Sequence, residues 1–236
     1  MTPDPIFIKV CGITRVADAL HAVEHGATAI GFVLWDKSPR AVTVDRAADI
    51  IATLPSQVTT VGVFVNEPVE GILRAVERAG LSAVQLHGDE SPAYAEELRC
   101  QVIRAVSVAE IDAAMDTWSA DTTLLVDNID PVRRGGTGAA IDWTAAARAA
   151  MARRLILAGG LTPDNVATAI RAVRPFGVDV SSGVESAPGV KDRNKVTQFI
   201  SNARLAFEEV GADLSSGNVG ADLQVRPGAA RADKRG

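Results

Sequence analysis

The sequence predicts an α/β protein, a single-domain (β/α)8 TIM barrel with parallel strands. Apolar strand-like runs alternate about eight times with amphipathic helical stretches, an order typical of parallel strands joined by crossover helices. The chain has 236 residues, which fits the roughly 200–250 residues of one such barrel. An open doubly wound sheet is disfavoured, because Cys11-Gly12-Ile13-Thr14 follows the first strand, where that fold usually carries Gly-x-Gly-x-x-Gly.

The predicted strands are short and rich in Val, Ile and Leu, and most of them are followed by Gly or a polar residue. They span 6–11, 29–34, 60–65, 83–87, 102–106, 123–127, 155–158 and 177–181. Helices with one apolar face are predicted at 15–25, 45–53, 69–79, 91–98, 108–116, 142–151, 164–173 and 192–209. The barrel domain is therefore predicted over 1–210. Residues 211–236 are mostly Gly, Ala and charged residues without an apolar period, so we predict a flexible, disordered C-terminal tail.

Composition argues against several classes of protein. Hydrophobic residues make up 47% of the chain, but no run approaches the ~20 apolar residues of a membrane-spanning helix. The N-terminus lacks the basic and apolar regions of a secretory signal. A net charge of −5 without a basic cluster argues against nucleic acid, and two cysteines are too few for a disulfide framework. We expect a cytoplasmic protein with no membrane or nucleic-acid partner, either monomer or homodimer.

The first strand carries an amine and a thiol on one face. Side chains alternate along a strand, so Phe7, Lys9 and Cys11 point to the same side. A buried ammonium is costly without a partner. In a closed barrel the eighth strand lies beside the first, and Asp179 has the inward parity. The sequence therefore predicts a Lys9–Asp179 ion pair, although a lysine that forms a Schiff base is also compatible with this position.

Two candidate catalytic residues, Cys11 and Asp127, lie at the carboxyl ends of strands one and six. Active sites of such barrels occupy that end. Because the two strands are not neighbours, these side chains should face each other across the mouth and leave room for a sugar. They could form an acid–base pair, with the thiol acting as thiolate. Alternatively, Cys11 is a small buried hydrophobe and Asp127 caps the loop that follows it.

A phosphate site is predicted in the loops that follow strands seven and eight. The loop residues that suggest it are Gly159, Gly160, Ser181, Ser182 and Gly183. Glycine lets the backbone approach an anion, and exposed N–H groups at a helix start stabilise negative charge. Barrels of this kind often bind phosphate in these two loops. The alternative is that the glycines only form tight turns.

Arg40, His87 and a pair of histidines complete the candidate residues. The guanidinium of Arg40, in the loop after strand two, suits a carboxylate or phosphate, or is simply solvated. His87 ends strand four and could contact substrate. His21 and His25 have the i, i+4 spacing of metal ligands, but no third ligand is evident in the sequence. We therefore expect a surface pair and no metal site.

Together, the ordered motifs resemble those of the phosphoribosylanthranilate isomerase family. The motifs are residues 9–14, 31–33 with 38–40, 61–66, 84–88, 135–138, 157–163, and 179–185 with 188–192. The resemblance covers about residues 6–208 and leaves out the tail. One departure is conservative: Ile141-Asp142-Trp143 stands where the family usually has Phe-Asp-Trp.

The resemblance implies an Amadori rearrangement of N-(5-phosphoribosyl)anthranilate in tryptophan biosynthesis. By this resemblance Asp127 is the general acid that protonates the ring oxygen and opens the sugar to a Schiff base. Cys11 is the general base that removes the proton at C2, and the enolamine then becomes a ketone. Proton transfers suffice for this reaction, so no cofactor and no metal are expected.

The resemblance also assigns the binding residues for a phosphosugar–anthranilate substrate. Arg40 is expected to hold the anthranilate carboxylate, and backbone amides near Gly160, Ser182 and Gly183 the phosphate. Asp179 is expected near the reacting sugar, which competes with the ion-pair interpretation, although both could hold. The first half of the chain lacks a matching pair of glycine loops, which favours a substrate with one phosphate.

Three other functions remain open from the sequence. A phosphosugar epimerase would need metal ligands, and no His/Asp cluster at the mouth supplies them. An aldolase would need a lysine at a strand end, but Lys9 lies two residues deeper. A non-catalytic barrel that binds a phosphorylated ligand is the non-enzymatic alternative, and loss of Cys11 or Asp127 would have favoured it.

Overall fold

Short apolar strands form the centre of the protein, and the computed structural model describes residues 6–127 and 143–215. The strands are β1 (Phe7–Val10), β2 (Ala29–Val33), β3 (Thr59–Phe64), β4 (Ala83–Leu86), β5 (Gln101–Val106), β6 (Thr123–Val126), β7 (Leu155–Leu157) and β8 (Gly177–Val180). All neighbours pair in parallel, and β1 pairs with both β2 and β8, so the sheet closes into a barrel. The predicted TIM barrel is confirmed.

Helices cover the outside of the barrel. They are α1 (Val16–Glu24), α2 (Val44–Ile51), α3 (Val69–Ala79), α4 (Pro92–Glu96), α5 (Ile111–Thr117), α6 (Trp143–Ala152), α7 (Val166–Val173) and α8 (Arg193–Ser215). After β8 the chain forms a short 3-10 turn (Ser182–Val184) and an antiparallel hairpin, β9 (Glu185–Ala187) with β10 (Val190–Lys191). Within the described residues, none of these helices has the length and apolar character needed to span a membrane.

Two predicted boundaries differ from the structure in an informative way. Helix α8 ends at Ser215 instead of 209, and Val210, the first residue beyond the predicted end, still packs against the core. The predicted tail thus begins as helix over 211–215, and residues 216–236 lie outside the described residues, as does the Gly-rich stretch 133–138. Strand β1 ends at Val10, so Cys11 is the first loop residue, although its N–H still donates to the Val180 carbonyl at 2.8 Å.

The alternating side chains of the strands create two apolar layers. One fills the barrel interior, with Val61, Ile103, Leu125 and Ile156 among its members. The other, larger layer lies between the strands and the helices. At the amino-terminal end of the strands Phe7 stacks on Phe176, with 5.6 Å between ring centroids. The interior is therefore closed at one end by aromatic rings, and the polar inward residues lie toward the other.

Candidate active site

Lys9 occupies the barrel interior and is fully buried. Its Nζ lies 3.0 Å from Asp179 Oδ1 and 3.0 Å from Gln85 Oε1. The pairing of β1 with β8 places Lys9 directly opposite Asp179, so the predicted ion pair is confirmed. Burial alone would lower the pKa of Lys9, but the attraction of Asp179, helped by Cys11, outweighs it and raises the pKa. The amine is therefore an ammonium at neutral pH.

Gln85 extends this network to His87. The Gln85 carbonyl oxygen accepts from Lys9, so its amide nitrogen donates to His87 Nδ1 at 3.1 Å. Burial, followed by the repulsion of Lys9, lowers the pKa of His87 to about 4. The imidazole is thus neutral, with its proton on Nε2. That buried N–H has no hydrogen-bond partner among the described residues.

The Cys11 thiol lies at the rim beside this network and is 6% exposed. Burial raises its pKa, while the ammonium groups of Lys9 and Lys191 act in the opposite direction. The negative charge of Asp179 adds to the effect of burial. The two neighbouring ammonium groups favour the thiolate form of Cys11 and so oppose the effect of burial in part.

Asp127 follows β6 directly and is partly buried. Its N–H donates to the Val106 carbonyl at 3.0 Å, which continues the β5–β6 ladder by one residue. The Asp127 carboxylate lies close enough to Asp179 to raise the pKa of that group, although burial is the larger cause. Asp179 is therefore electrostatically coupled both to Asp127 and to Cys11. Cys11 directly follows β1, Asp127 directly follows β6, and Asp179 is near the end of β8, so all three lie toward the carboxyl ends of the strands.

Arg40 is not simply solvated. Its Nε and Nη2 donate to the two carboxylate oxygens of Glu185 at 2.8 and 2.7 Å. Glu185 also accepts from Lys191 Nζ at 2.9 Å, and the Lys191 ammonium donates to the Ser181 carbonyl at 3.1 Å. The sequence reasoning assigned no role to Glu185 or Lys191. Glu185 and Lys191 lie close together in the sequence, and this could have suggested that they pair. The sequence does not indicate that Arg40, 145 residues before Glu185, contacts them.

The structure brings the two predicted phosphate loops together. Gly159 and Gly160 have positive φ angles of 75° and 70°, and the loop continues into α7 through Asn165, whose amide donates to the Gly160 carbonyl at 2.9 Å. A β-carbon on Gly183 would overlap the carbonyl oxygen of Leu161. Gly183 therefore allows the backbones of the two loops to touch. Phosphate binding by these loops stays a prediction.

A second buried charge network, missed by the sequence reasoning, supports the loops after β3 and β4. Glu90 accepts from the N–H groups of Asn66 and Gly88 at 2.7 and 2.8 Å and from Arg104 at 2.8 Å. The Arg104 guanidinium also lies 5.1 Å from the centroid of the Trp118 ring. This network fixes the backbone of Gly88, the residue that follows His87.

The histidine pair lies on the outer surface, on α1. The structure adds a third group that the sequence reasoning did not recognise, because Glu24 brings its carboxylate within 4.8 Å of both histidines. However, His21 Nε2 already contacts the Arg193 carbonyl at 3.0 Å and Thr197 Oγ1 at 3.1 Å. His25 Nδ1 contacts the His21 carbonyl at 2.8 Å. The contacts of His21 join α1 to α8, and the contact of His25 is local to the end of α1, so both imidazoles already have protein partners.

The fold and the mouth together define a class: an α/β-barrel enzyme whose buried charged side chains gather toward the carboxyl ends of the strands. Residues 8–202 match the family model described as N-(5'-phosphoribosyl)anthranilate (PRA) isomerase. A relative of that name from Pelobacter propionicus is 47% identical over 206 residues, covering 86% of this chain and 98% of the relative. The chain belongs to the N-(5'-phosphoribosyl)anthranilate isomerase family.

Solved structures agree with this assignment. The phosphoribosyl anthranilate isomerase of Thermotoga maritima has a TM-score of 0.79 and 42% identity, covering 85% of this chain and 99% of that one. A phosphoribosyl anthranilate isomerase in complex with reduced 1-(o-carboxyphenylamino)-1-deoxyribulose 5-phosphate has a TM-score of 0.76 and 41% identity, with the same coverage. Both similarities extend over the whole barrel.

Proposed function

We propose that this chain isomerises N-(5-phosphoribosyl)anthranilate to 1-(2-carboxyphenylamino)-1-deoxyribulose 5-phosphate in tryptophan biosynthesis. The observation that carries the proposal is the position of Cys11 directly after β1 and of Asp127 directly after β6, at the same end of a closed barrel that also holds the buried Lys9–Asp179 pair. A thiol and a carboxylate at one mouth are what an aldose–ketose rearrangement by proton transfer requires. The related barrel that holds the reduced product analogue supports the same substrate class.

Asp127 and Cys11 divide the proton transfers between them. Asp127 protonates the furanose ring oxygen as the C1–O bond breaks, which leaves a Schiff base at C1. The Cys11 thiolate then removes the proton from C2, and the electron pair forms the enolamine. Tautomerisation of the enolamine gives the C2 ketone. Every step moves a proton, so the residues of the chain suffice for the chemistry and no cofactor or metal is assigned a role.

Arg40, Asp179 and His87 surround the reacting sugar in this proposal. Arg40 binds the anthranilate carboxylate through its charged guanidinium. His87 donates its Nε2 proton to a sugar oxygen, because Gln85 already occupies Nδ1. Asp179 both neutralises Lys9 and faces the sugar, so the two interpretations of this residue are compatible. The phosphate lies on the loops that contain Gly159, Gly160, Ser181, Ser182 and Gly183.

One alternative is a barrel that binds a phosphorylated ligand without turning it over.

An aldolase is the other alternative. The buried Lys9–Asp179 pair in the barrel interior argues against it, since that lysine is already neutralised. Because the protein is proposed to act on a small phosphosugar in a biosynthetic pathway, we also propose a cytoplasmic location. Monomer and homodimer both stay open.

Anthranilate fluorescence gives the direct test. The purified protein should change the fluorescence of N-(5-phosphoribosyl)anthranilate as substrate is consumed, and mass spectrometry should find an isomeric product. Cys11→Ala and Asp127→Ala should each lower kcat by about 10²–10⁴-fold, the usual contribution of a general base or acid. Cys100→Ala is the matched control, because this second cysteine lies at the start of β5. Near wild-type kcat in either mouth variant would refute the mechanism.

A further inference from the structure

The guanidinium of Arg40 has two edges that can each bind a carboxylate with two hydrogen bonds. Glu185 occupies the edge formed by Nε and Nη2. The remaining edge, with Nη1, has no protein acceptor among the described residues. The Arg40 side chain is 22% exposed, whereas the Glu185 side chain is only 6% exposed. Part of the Arg40 side chain therefore stays within reach of solvent, and hence of a ligand, although Glu185 is buried.

Glu185 is itself held in place by residues of the β9–β10 hairpin. Lys191 Nζ donates to Glu185 Oε1 at 2.9 Å, and the Gly189 N–H approaches the same oxygen at 3.3 Å. The Lys191 side chain is 1% exposed, and its backbone N–H donates to Asp18 at 3.2 Å. Both charged residues lie on the β9–β10 hairpin, at Glu185 in β9 and Lys191 in β10. The hairpin thus acts as a rigid support for the arginine.

The charge of this cluster favours a further carboxylate. Arg40 and Lys191 contribute two positive charges and Glu185 one negative charge. Burial alone would raise the pKa of Glu185, but the hydrogen bond from Arg40 and the charge of Lys191 outweigh it and lower the pKa. Glu185 is therefore ionised at neutral pH, and the side chains of Arg40, Lys191 and Glu185 together carry one net positive charge. An anionic group on the free edge of Arg40 would complete the balance.

Gly12 provides the space for this arrangement. A β-carbon at Gly12 would lie 2.6 Å from Arg40 Cδ, and the residue has a φ of 72°. Gly12 follows the proposed base directly in sequence, so the stem of Arg40 passes over the backbone next to Cys11. A carboxylate on the free edge of Arg40 is thus bound beside the base rather than at a remote surface.

We propose that Glu185 and Lys191 are positioning residues that fix Arg40 with one edge open for the substrate's aromatic carboxylate. This rests on the proposed function, because the substrate supplies that carboxylate. The pair would make the site selective for an aminosugar phosphate whose aryl group carries an ortho-carboxylate. The competing possibility is that Glu185 blocks Arg40 and must be displaced, in which case its removal would tighten binding instead of weakening it.

Kinetics of Glu185→Gln separate the two possibilities. The amide keeps the size of the side chain but cannot accept at both positions, so Arg40 loses its fixed orientation. We expect KM to rise about 10-fold, equivalent to ~1.4 kcal/mol, while kcat stays within about 2-fold. Lys191→Met should have the same signature. The matched control is Asp112→Asn, which removes an exposed ion pair with Arg148 on α5 and α6 and should leave both constants unchanged.

A double-mutant cycle with Arg40 tests whether Glu185 acts through it. In an Arg40→Ala background, Glu185→Ala should raise KM no further. The proposal would be overturned if Glu185→Ala raised KM in the Arg40→Ala background as much as it does in the wild-type protein. A KM in Glu185→Gln equal to or below the wild-type value would overturn it as well. If the wild-type protein showed no turnover of the substrate, the proposed function itself would be refuted. Failure of the positioning role and failure of the proposed function are therefore distinguishable.

Calorimetry with two product analogues provides a readout that does not depend on turnover. The first is reduced 1-(o-carboxyphenylamino)-1-deoxyribulose 5-phosphate, and the second lacks the carboxylate. The wild-type protein should prefer the first analogue, and Glu185→Gln should lose about 10-fold of that preference without a change in affinity for the second. Equal loss for both analogues would show a general structural defect and overturn the assignment of a positioning role.

Discussion

The buried Lys9–Asp179 pair allows a stability prediction whose size can be worked out from the structure. Lys9→Met removes the ammonium but keeps the length and volume of the side chain. Asp179, which is 7% exposed, would then be a buried carboxylate without its counter-ion. Breaking such a pair from one side costs about 3–5 kcal/mol. Gln85 also loses a donor, so we expect the free energy of unfolding to fall by roughly 4 kcal/mol at pH 7.5.

The pH dependence of this loss has a definite sign. In Lys9→Met the folded-state pKa of Asp179 rises further above its unfolded value of about 3.9, because burial remains while the attraction of Lys9 is gone. Between those two pKa values the folded state binds more protons than the unfolded state, so stability decreases as pH rises. The deficit relative to the wild-type protein should therefore be smaller at pH 5 than at pH 7.5.

Urea unfolding followed by circular dichroism at both pH values measures this prediction. Arg171→Met is the control, because it removes a cation from an exposed pair with Glu209 and should cost only about 0.2–1 kcal/mol. The double variant Lys9→Met with Asp179→Leu should recover much of the loss, since both charges are then absent. A deficit below about 1 kcal/mol for Lys9→Met, or one that does not change with pH, would refute the reasoning.

Three further outcomes are expected. Iodoacetamide should label Cys11 in the native protein at a rate that increases about tenfold per pH unit up to pH 9, because burial raises the pKa of this thiol; mass spectrometry separates it from Cys100, and a plateau by pH 8 would contradict this. Glu90→Gln should lower the free energy of unfolding by about 3–5 kcal/mol, because Arg104 loses its buried partner; an unchanged urea midpoint would contradict it. Gly183→Ala should weaken inhibition by inorganic phosphate at least 10-fold, because the added methyl group separates the two loops; an unchanged inhibition constant would argue against phosphate in these loops.

The barrel fold could be predicted from the sequence because the hydrophobic pattern of each strand and helix is local. Each strand is an apolar run with period two or a fully buried run, and each helix has its own apolar face. Closure then followed from the count of strands. The Lys9–Asp179 pair was also predictable, since closure makes the first and last strands neighbours and parity decides which side chains face inward. These inferences need only periodicity and topology.

The contacts of loops and longer side chains could not be inferred in the same way. Arg40 and Glu185 are separated by 145 residues, and both lie outside the eight barrel strands, where no period fixes their direction. Similarly, Gln85 was visible as an inward strand residue, but its role in joining Lys9 to His87 depends on side-chain rotamers. Helix α8 was predicted too short, because composition alone gives no indication that an apolar face continues beyond a charged stretch.

The two charge networks on either side of Cys11 explain how one rim can hold a base and bind an anion. Lys9 is neutralised by Asp179, and Lys191 by Glu185, so neither ammonium acts on the thiol with its full charge. Burial therefore determines the net direction and raises the pKa of Cys11. A base that is mostly protonated when the mouth is empty is protected from unwanted reactions. In the proposed function the same neutralisation leaves Arg40 as the cation with an open edge, so the substrate carboxylate would bind beside the thiol without creating a permanently reactive thiolate.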